Sequence, residues 1–236
     1  MDKKFYWVLL LVLAVKTSFA QDVSRKVDAS ANEYVAAADG QLTLFYGKEP
    51  EGYARTRNHP YVGELAARLS YNGIVYPDVS LRLDLHRNEL TILSPSNRNI
   101  ILTPEKFDYA EFNDLHIIYL SRDNRSSGQP PTGYYFLLHS GKCTVLEKQI
   151  ATLEVNTSGT RGATAEFYFS FSTIFYIHKD NVYHTIRNKR GLLKALHPHQ
   201  KELRRYISSN KLRYRRDAQK LITMTVNEYE RISSTR

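Results

Sequence analysis

The side chains best suited to chemistry are eight histidines, one cysteine and a dense run of arginines and lysines. His197 and His199 stand two apart at the expected start of a helix, whereas side chains that share a helical face are three or four apart. His178 and His184 flank an expected turn with no carboxylate at ligand spacing, and His59, His86, His116 and His139 fall on separate expected strands or loops. No metal site is expected from them. Cys143 lies outside any thiol-enzyme signature and reads as an inert strand cysteine. A Gly-x-Ser-x-Gly elbow, a P-loop and a dinucleotide-binding glycine pattern are all absent. Asp78 and Asp84 sit on one expected strand, where six extended residues hold them about 20 Å apart. They read as solvent-facing. No catalytic residue and no cofactor is expected, and the chain reads as a non-enzyme.

What remains is positive charge. Arg204, Arg205, Lys211, Arg213, Arg215 and Arg216 crowd one short segment, with Tyr206 and Tyr214 between them. Residues 179–236 carry 15 of the 33 Lys+Arg but only 5 of the 24 Asp+Glu, while residues 21–178 carry 15 and 18, so the basic excess belongs to the end of the chain. Such a segment can neutralise phosphates and stack bases on its tyrosines, as nucleic-acid binders do. It can lie on an anionic lipid or polysaccharide surface, at about 1 kcal/mol per cation engaged near a lipid. It can also be a solvated face, with some arginines paired to the acidic body. The six cations are the candidate anion- or partner-binding residues.

The start of the chain narrows these readings. Lys3 and Lys4 precede eleven unbroken apolar residues, 5–15, and Ser18-Phe19-Ala20 follows. That pattern predicts a signal peptide over residues 1–20, cleaved after Ala20. The apolar run spans about 16 Å as a helix, short of the roughly 30 Å of a bilayer core. No later stretch approaches a membrane span, so the protein is expected to be exported, periplasmic or outer-membrane-associated, and not integral to the membrane. Nucleic acid is then not an expected partner; an envelope protein or an anionic surface is. The short Lys-Lys signal followed by Gln21 reads as bacterial, so the sequons at Asn124 and Asn156 read as chance.

The elements that must carry this charge read as a β body followed by helices. At 42% hydrophobic residues, with 11 Gly and 8 Pro in 236, the chain is neither disordered nor of low complexity. Residues 21–186 form the expected β-rich body. Asn72-Gly73 between apolar runs predicts a type I′ hairpin. Val79, Leu81, Leu83 and Leu85 alternate with Ser80, Arg82, Asp84 and His86, as a half-buried strand does. A turn at Arg87-Asn88 would set Leu85 opposite Leu90 and Leu83 opposite Ile92. Before Pro77 the apolar positions are even (Ile74, Tyr76) and after it they are odd, which predicts a bulge at Pro77-Asp78. Further strands are expected at 100–102, 106–112, 115–120, 134–139, 144–155, 166–178 and 182–186, with loops at 122–132 and 156–164. After Ile186 the period becomes helical: Asn188 caps a first helix, Pro198 opens a second and Asp217 a third. The fold class is α+β: an antiparallel β-rich body, sandwich or open barrel, followed by a short basic helical segment, residues 187–236.

Two stretches, YNGIVYPDVSLRLDLHRNEL from Tyr71 and VYHTIRNKRGLLKALHPHQKELRRYISSNKLRYRRD from Val182, resemble a family of exported, uncharacterised envelope proteins of Gram-negative bacteria. In that family a YNG hairpin stands near the start and a Lys/Arg-rich helical segment closes the chain. Leu192, Leu193, Leu203, Ile207, Asn210, Lys211 and Asp217 match that ending, while His197-Pro198-His199 departs from it. The resemblance implies export and a two-part layout, and no catalytic residue. The function expected is non-enzymatic binding or assembly at the envelope. The alternatives are hydrolysis of an envelope polymer by groups gathered from separate strands, and anionic-surface binding through the basic end.

Overall fold

The computed structural model describes residues 56, 58–93, 99–122, 128–156 and 166–234. The signal peptide expected at 1–20, the first part of the β body, the Asn124 sequon and the stretch after Asn156 lie outside the described residues. The described strands are β1 (Tyr61–Tyr71), β2 (Ile74–Asp84), β3 (Glu89–Leu93), β4 (Asn99–Ile101), β5 (Phe107–Phe112), β6 (Leu115–Leu120), β7 (Gly133–Ser140), β8 (Thr144–Asn156), β9 (Glu166–Lys179) and β10 (Val182–Ile186). They form one open antiparallel sheet in the order β10-β9-β8-β7-β6-β5-β1-β2-β3-β4. Three helices follow: α1 (Lys189–Ala195), α2 (Gln200–Ser209) and α3 (Ala218–Ser234). The protein is therefore a β-rich antiparallel sheet with three helices at its C-terminal end.

Local chemistry sets the turns. Asn72 and Gly73 both take positive φ (55° and 74°), so β1 reverses into β2 with Tyr71 opposite Ile74. Ala67 faces Val79 while Leu69 faces Tyr76, so β2 holds one extra residue at Pro77-Asp78, where Asp78 has φ 58°. The bulge lets Tyr76 and Val79 both point inward. Ile74 does not join that row; it is exposed at the hairpin end.

The β2–β3 connection departs from expectation. Leu83 faces Leu90 and Leu81 faces Ile92, two residues from the expected register. The cause is Asp84, whose Oδ1 accepts from the His86 and Arg87 amides at 2.8 and 2.9 Å. This carboxylate organises a four-residue turn in place of a two-residue one, and Asp84 is buried rather than solvent-facing. Because the slip is an even number of residues, every side chain keeps its face.

That turn also ties the sheet to itself. β8 runs on past the end of β7, and its Ala151 donates to Leu85 O at 3.2 Å and lies 3.0 Å, through its carbonyl, from His86 Nδ1. Asn88 Oδ1 accepts from the Tyr134 amide at 3.2 Å. Asn58 brackets Phe169, donating to its carbonyl and accepting from its amide, both at 2.8 Å. Beneath these contacts lies a core of Leu69, Tyr71, Leu90, Ile92, Ile100 and Ile117 with Ala151 and Phe169 of the β8–β9 ribbon.

A second core joins sheet and helices. Cys143, Val145, Phe175, Ile177 and Ile186 meet Leu192, Leu193, Leu203, Ile207, Leu221, Ile222 and Val226. Val145 and Ala151 are both odd-numbered on β8, so the two cores share one face of the ribbon, while Leu146 packs with Tyr135 and Tyr176 on the other. The helix starts follow their caps. Asn188 Oδ1 accepts from the Gly191 amide at 2.8 Å, and Asp217 Oδ1 from that of Lys220 at 2.9 Å. Pro198 does not open α2, contrary to expectation. It lies in the preceding turn, and the buried His199 ring packs edge-on against Tyr229, so the helix begins at Gln200.

Candidate functional site

The basic surface is built by simple periodicities. On α1, Lys189 and Leu193 are four apart, as are Arg190 and Lys194; on α2 so are Gln200 and Arg204. Residues four apart share a helical face, so each pair forms one ladder. The three ladders line a groove of about 680 Å³ between α1 and α2. Its lining comprises Lys189, Arg190, Lys194, Arg204, Gln200 and Leu193, and no carboxylate or histidine is among them. Leu193 is buried and anchors α1 on the second core. Glu202 stands only two residues from Arg204, on another side of α2.

The connection from α2 to α3 follows a second rule. Leu212 and Tyr214 pack against the second core, and the Tyr214 hydroxyl donates to Ile186 O at 2.8 Å. Lys211, Arg213 and Arg215, which alternate with them, are thereby turned outward, and Arg216 is exposed as well. Burial raises the Tyr214 hydroxyl above its ordinary pKa. A tyrosine held in this way is not a free stacking platform for bases.

The six cations singled out in the sequence are thus all exposed, but they do not form one site. Arg204 alone lines the groove. Arg205 follows it on α2, and Lys211, Arg213, Arg215 and Arg216 lie along the α2–α3 connection. Lys189, Arg190 and Lys194 escape a search for local charge density. Their signal is the four-residue spacing in NKRGLLK, which gathers the charge in space. Among the described residues, none of these nine cations makes an ion pair.

One cluster of chemically capable side chains assembles elsewhere. Glu230 of α3 accepts from the Cys143 amide at 2.8 Å and pairs with His139 Nε2 at 3.1 Å. A side chain at Gly141 would collide with the Glu230 carboxylate. The Cys143 amide, the His139 imidazole and the Glu230 carboxylate therefore meet at the β7–β8 turn, although the sequence separates Glu230 widely from the other two. The arrangement does not activate the thiol. Burial first, then the Glu230 charge, pushes Cys143 up to about 11, which keeps the sulfur protonated near neutral pH. Burial would also raise Glu230, but the hydrogen bonds from the Cys143 amide, His139 and the Lys142 amide hold it below its ordinary value. The cluster works as a fastener between α3 and the sheet.

Other titratable groups are dispersed. His116 pairs with Glu111 at 3.1 Å, and His178 stacks on Tyr183 with centroids 4.3 Å apart. Glu147 is buried on β8 and its carboxyl is raised by burial, with Gln149 donating to it at 2.6 Å. Among the described residues no three His, Cys, Asp or Glu side chains are placed to hold a metal ion. No described helix is long and apolar enough to cross a membrane. No protein-family model, curated protein or solved structure matches the chain.

Proposed function

We propose that the chain is an exported envelope protein that acts by binding, and that its C-terminal helices hold it on an anionic surface. The sheet is the rigid carrier, and we read its self-contacts through Leu85, His86 and Asn58 as those of an open barrel. One observation carries the reading: the ten cations from Lys189 to Arg216 have no carboxylate partner among the described residues. Cations kept for structure are ordinarily paired, and unpaired like charges repel. A surface that supplies the missing anions relieves that repulsion. The groove is lined by cations and holds no acidic or histidine side chain, which favours binding over polymer hydrolysis. Export rests on the pattern of residues 1–20 and on the family resemblance.

The test is retention on vesicles of phosphatidylglycerol and phosphatidylcholine, at low salt and at about 0.3 M, where screening is strong. Retention on the anionic vesicles is expected at low salt and is lost at high salt. Arg213→Glu, Arg215→Glu and Arg216→Glu together should weaken it by roughly 100-fold or more, at about 1 kcal/mol for each cation. Equal retention on neutral vesicles, or no change in the triple variant, would overturn the reading.

A further inference from the structure

We infer that the groove between α1 and α2 is a pocket for a phosphate ester on a small polyhydroxyl group, a deeper claim about the face proposed above and resting on that reading. Four cations from two helices line one cavity. Lys189, Arg190 and Lys194 come from α1 and Arg204 from α2, with no anion among the lining residues. The groove's volume of about 680 Å³ falls within the roughly 300–1,000 Å³ typical of small-molecule sites.

The chemistry of the lining selects the ligand class. A single carboxylate would offset one of the four charges and leave three facing each other. A phosphate ester brings up to two negative charges and several acceptor oxygens, and arginine can bind it with two parallel hydrogen bonds. Two arginines on opposite walls, Arg190 and Arg204, are suited to hold it from both sides. Gln200 offers one amide donor group and one acceptor, which suits the hydroxyls of a sugar or glycerol rather than a second anion. Leu193 supplies an apolar patch for the carbon skeleton. The contrast with the α2–α3 connection is geometric. Arg213, Arg215 and Arg216 stand on the hydrogen-bonded turn that leads into α3 and are not among the residues lining the groove, so they can meet a surface beside it.

Phosphate on a lipid headgroup and phosphate on a free sugar share this chemistry, and the experiment separates them. The exported, processed chain is titrated calorimetrically with glucose 1-phosphate, with glucose and with glucuronate, and is assayed in parallel on the phosphatidylglycerol vesicles. Glucose 1-phosphate should bind and raise the unfolding temperature, and glucose should not bind. Glucuronate should bind at least tenfold more weakly than the phosphate. Arg190→Gln with Arg204→Gln should reduce phosphate binding at least tenfold, while Arg213→Gln with Arg215→Gln and Arg216→Gln should leave it unchanged. The unfolding midpoint of each variant without ligand checks that it is folded. No binding of glucose 1-phosphate, or equal loss in both variants, would overturn the pocket. Vesicle retention surviving that result would leave the surface reading standing. Phosphate binding without vesicle retention would support the pocket for a free phosphate ester and remove the surface reading.

Discussion

The cations of the sheet and those of the helical end are used differently. In the sheet, Arg87 pairs with Glu89 at 3.0 Å and Arg68 with Glu111 at 3.5 Å. Arg82 lies 4.9 Å over the Tyr61 ring, and Lys148 4.7 Å over that of Tyr135 while bonding Asn88. Lys179 is paired with Asp180 and lies over the Tyr229 ring. On the helical end, Arg231 bonds Glu228 at 2.7 Å, yet the ten cations from Lys189 to Arg216 make no ion pair among the described residues. Both regions rest on well-buried apolar cores, so the difference is not one of packing. It lies in whether the fold itself supplies the counter-charge. Where it does, the cation belongs to the architecture; where it does not, the charge is left for a partner.

The largest test of this comparison concerns whether the helical end is a tail at all. Leu221 of α3 is fully buried in the core that also contains Cys143, Val145 and Ile177 of the sheet. Leu221→Ala should cost about 2–5 kcal/mol, read from chemical denaturation. Because the core is shared, circular dichroism of the helices and fluorescence of the sheet tyrosines should move together in one transition. Two separated transitions would mean that the helices fold apart from the sheet, and the cations would then have no rigid carrier.

A smaller effect is expected at the fastener. Glu230→Ala removes the acceptor of the Cys143 amide and the partner of His139, and should cost about 1–3 kcal/mol. The pH dependence has a definite sign. The folded-state carboxyl of Glu230 is held below its ordinary value, so its contribution is complete above the ordinary glutamate range, about 4.3. It is lost as pH falls through the lower, folded value. The gap between the two proteins in urea unfolding should narrow below about pH 4. A gap that persists undiminished well below about pH 4 would show that the Glu230 carboxylate is not the group that fastens α3.

These residues also mark how far the sequence could be read. Asn72-Gly73 and the parity change at Pro77 declare themselves, because turn geometry and pleat alternation are local properties. The strands and the three helices were legible for the same reason, and the caps at Asn188 and Asp217 with them. The Asp84 turn was not. Its carboxylate competes with the strand ladder for amides two and three residues on, and a pattern of apolar residues does not record which partner wins. The Glu230 cluster was hidden because it joins a β7–β8 turn to a distant helix, a tertiary contact with no spacing of its own. The basic groove was half legible. Local density found Arg204, whereas Lys189, Arg190 and Lys194 become its neighbours only once α1 and α2 pack against the same core.

The finest distinction between the two kinds of cation is a matched pair of substitutions. Arg87→Gln removes a partly exposed ion pair with Glu89, whose side chains are 26% and 30% accessible, and should cost up to about 1 kcal/mol. Arg204→Gln removes an exposed cation from among three others, and should shift stability by less than about 0.5 kcal/mol. Its sign should be the opposite one, because like charges in the groove repel when no anion is bound. Added salt should diminish both effects, since the screening length falls to about 10 Å at 0.1 M. Thermal unfolding of both variants at low and moderate salt gives the comparison directly. If Arg204→Gln destabilised the protein as much as Arg87→Gln, the arginine would have a structural partner, and the division between employed and available charge would fail at the residue most central to the groove.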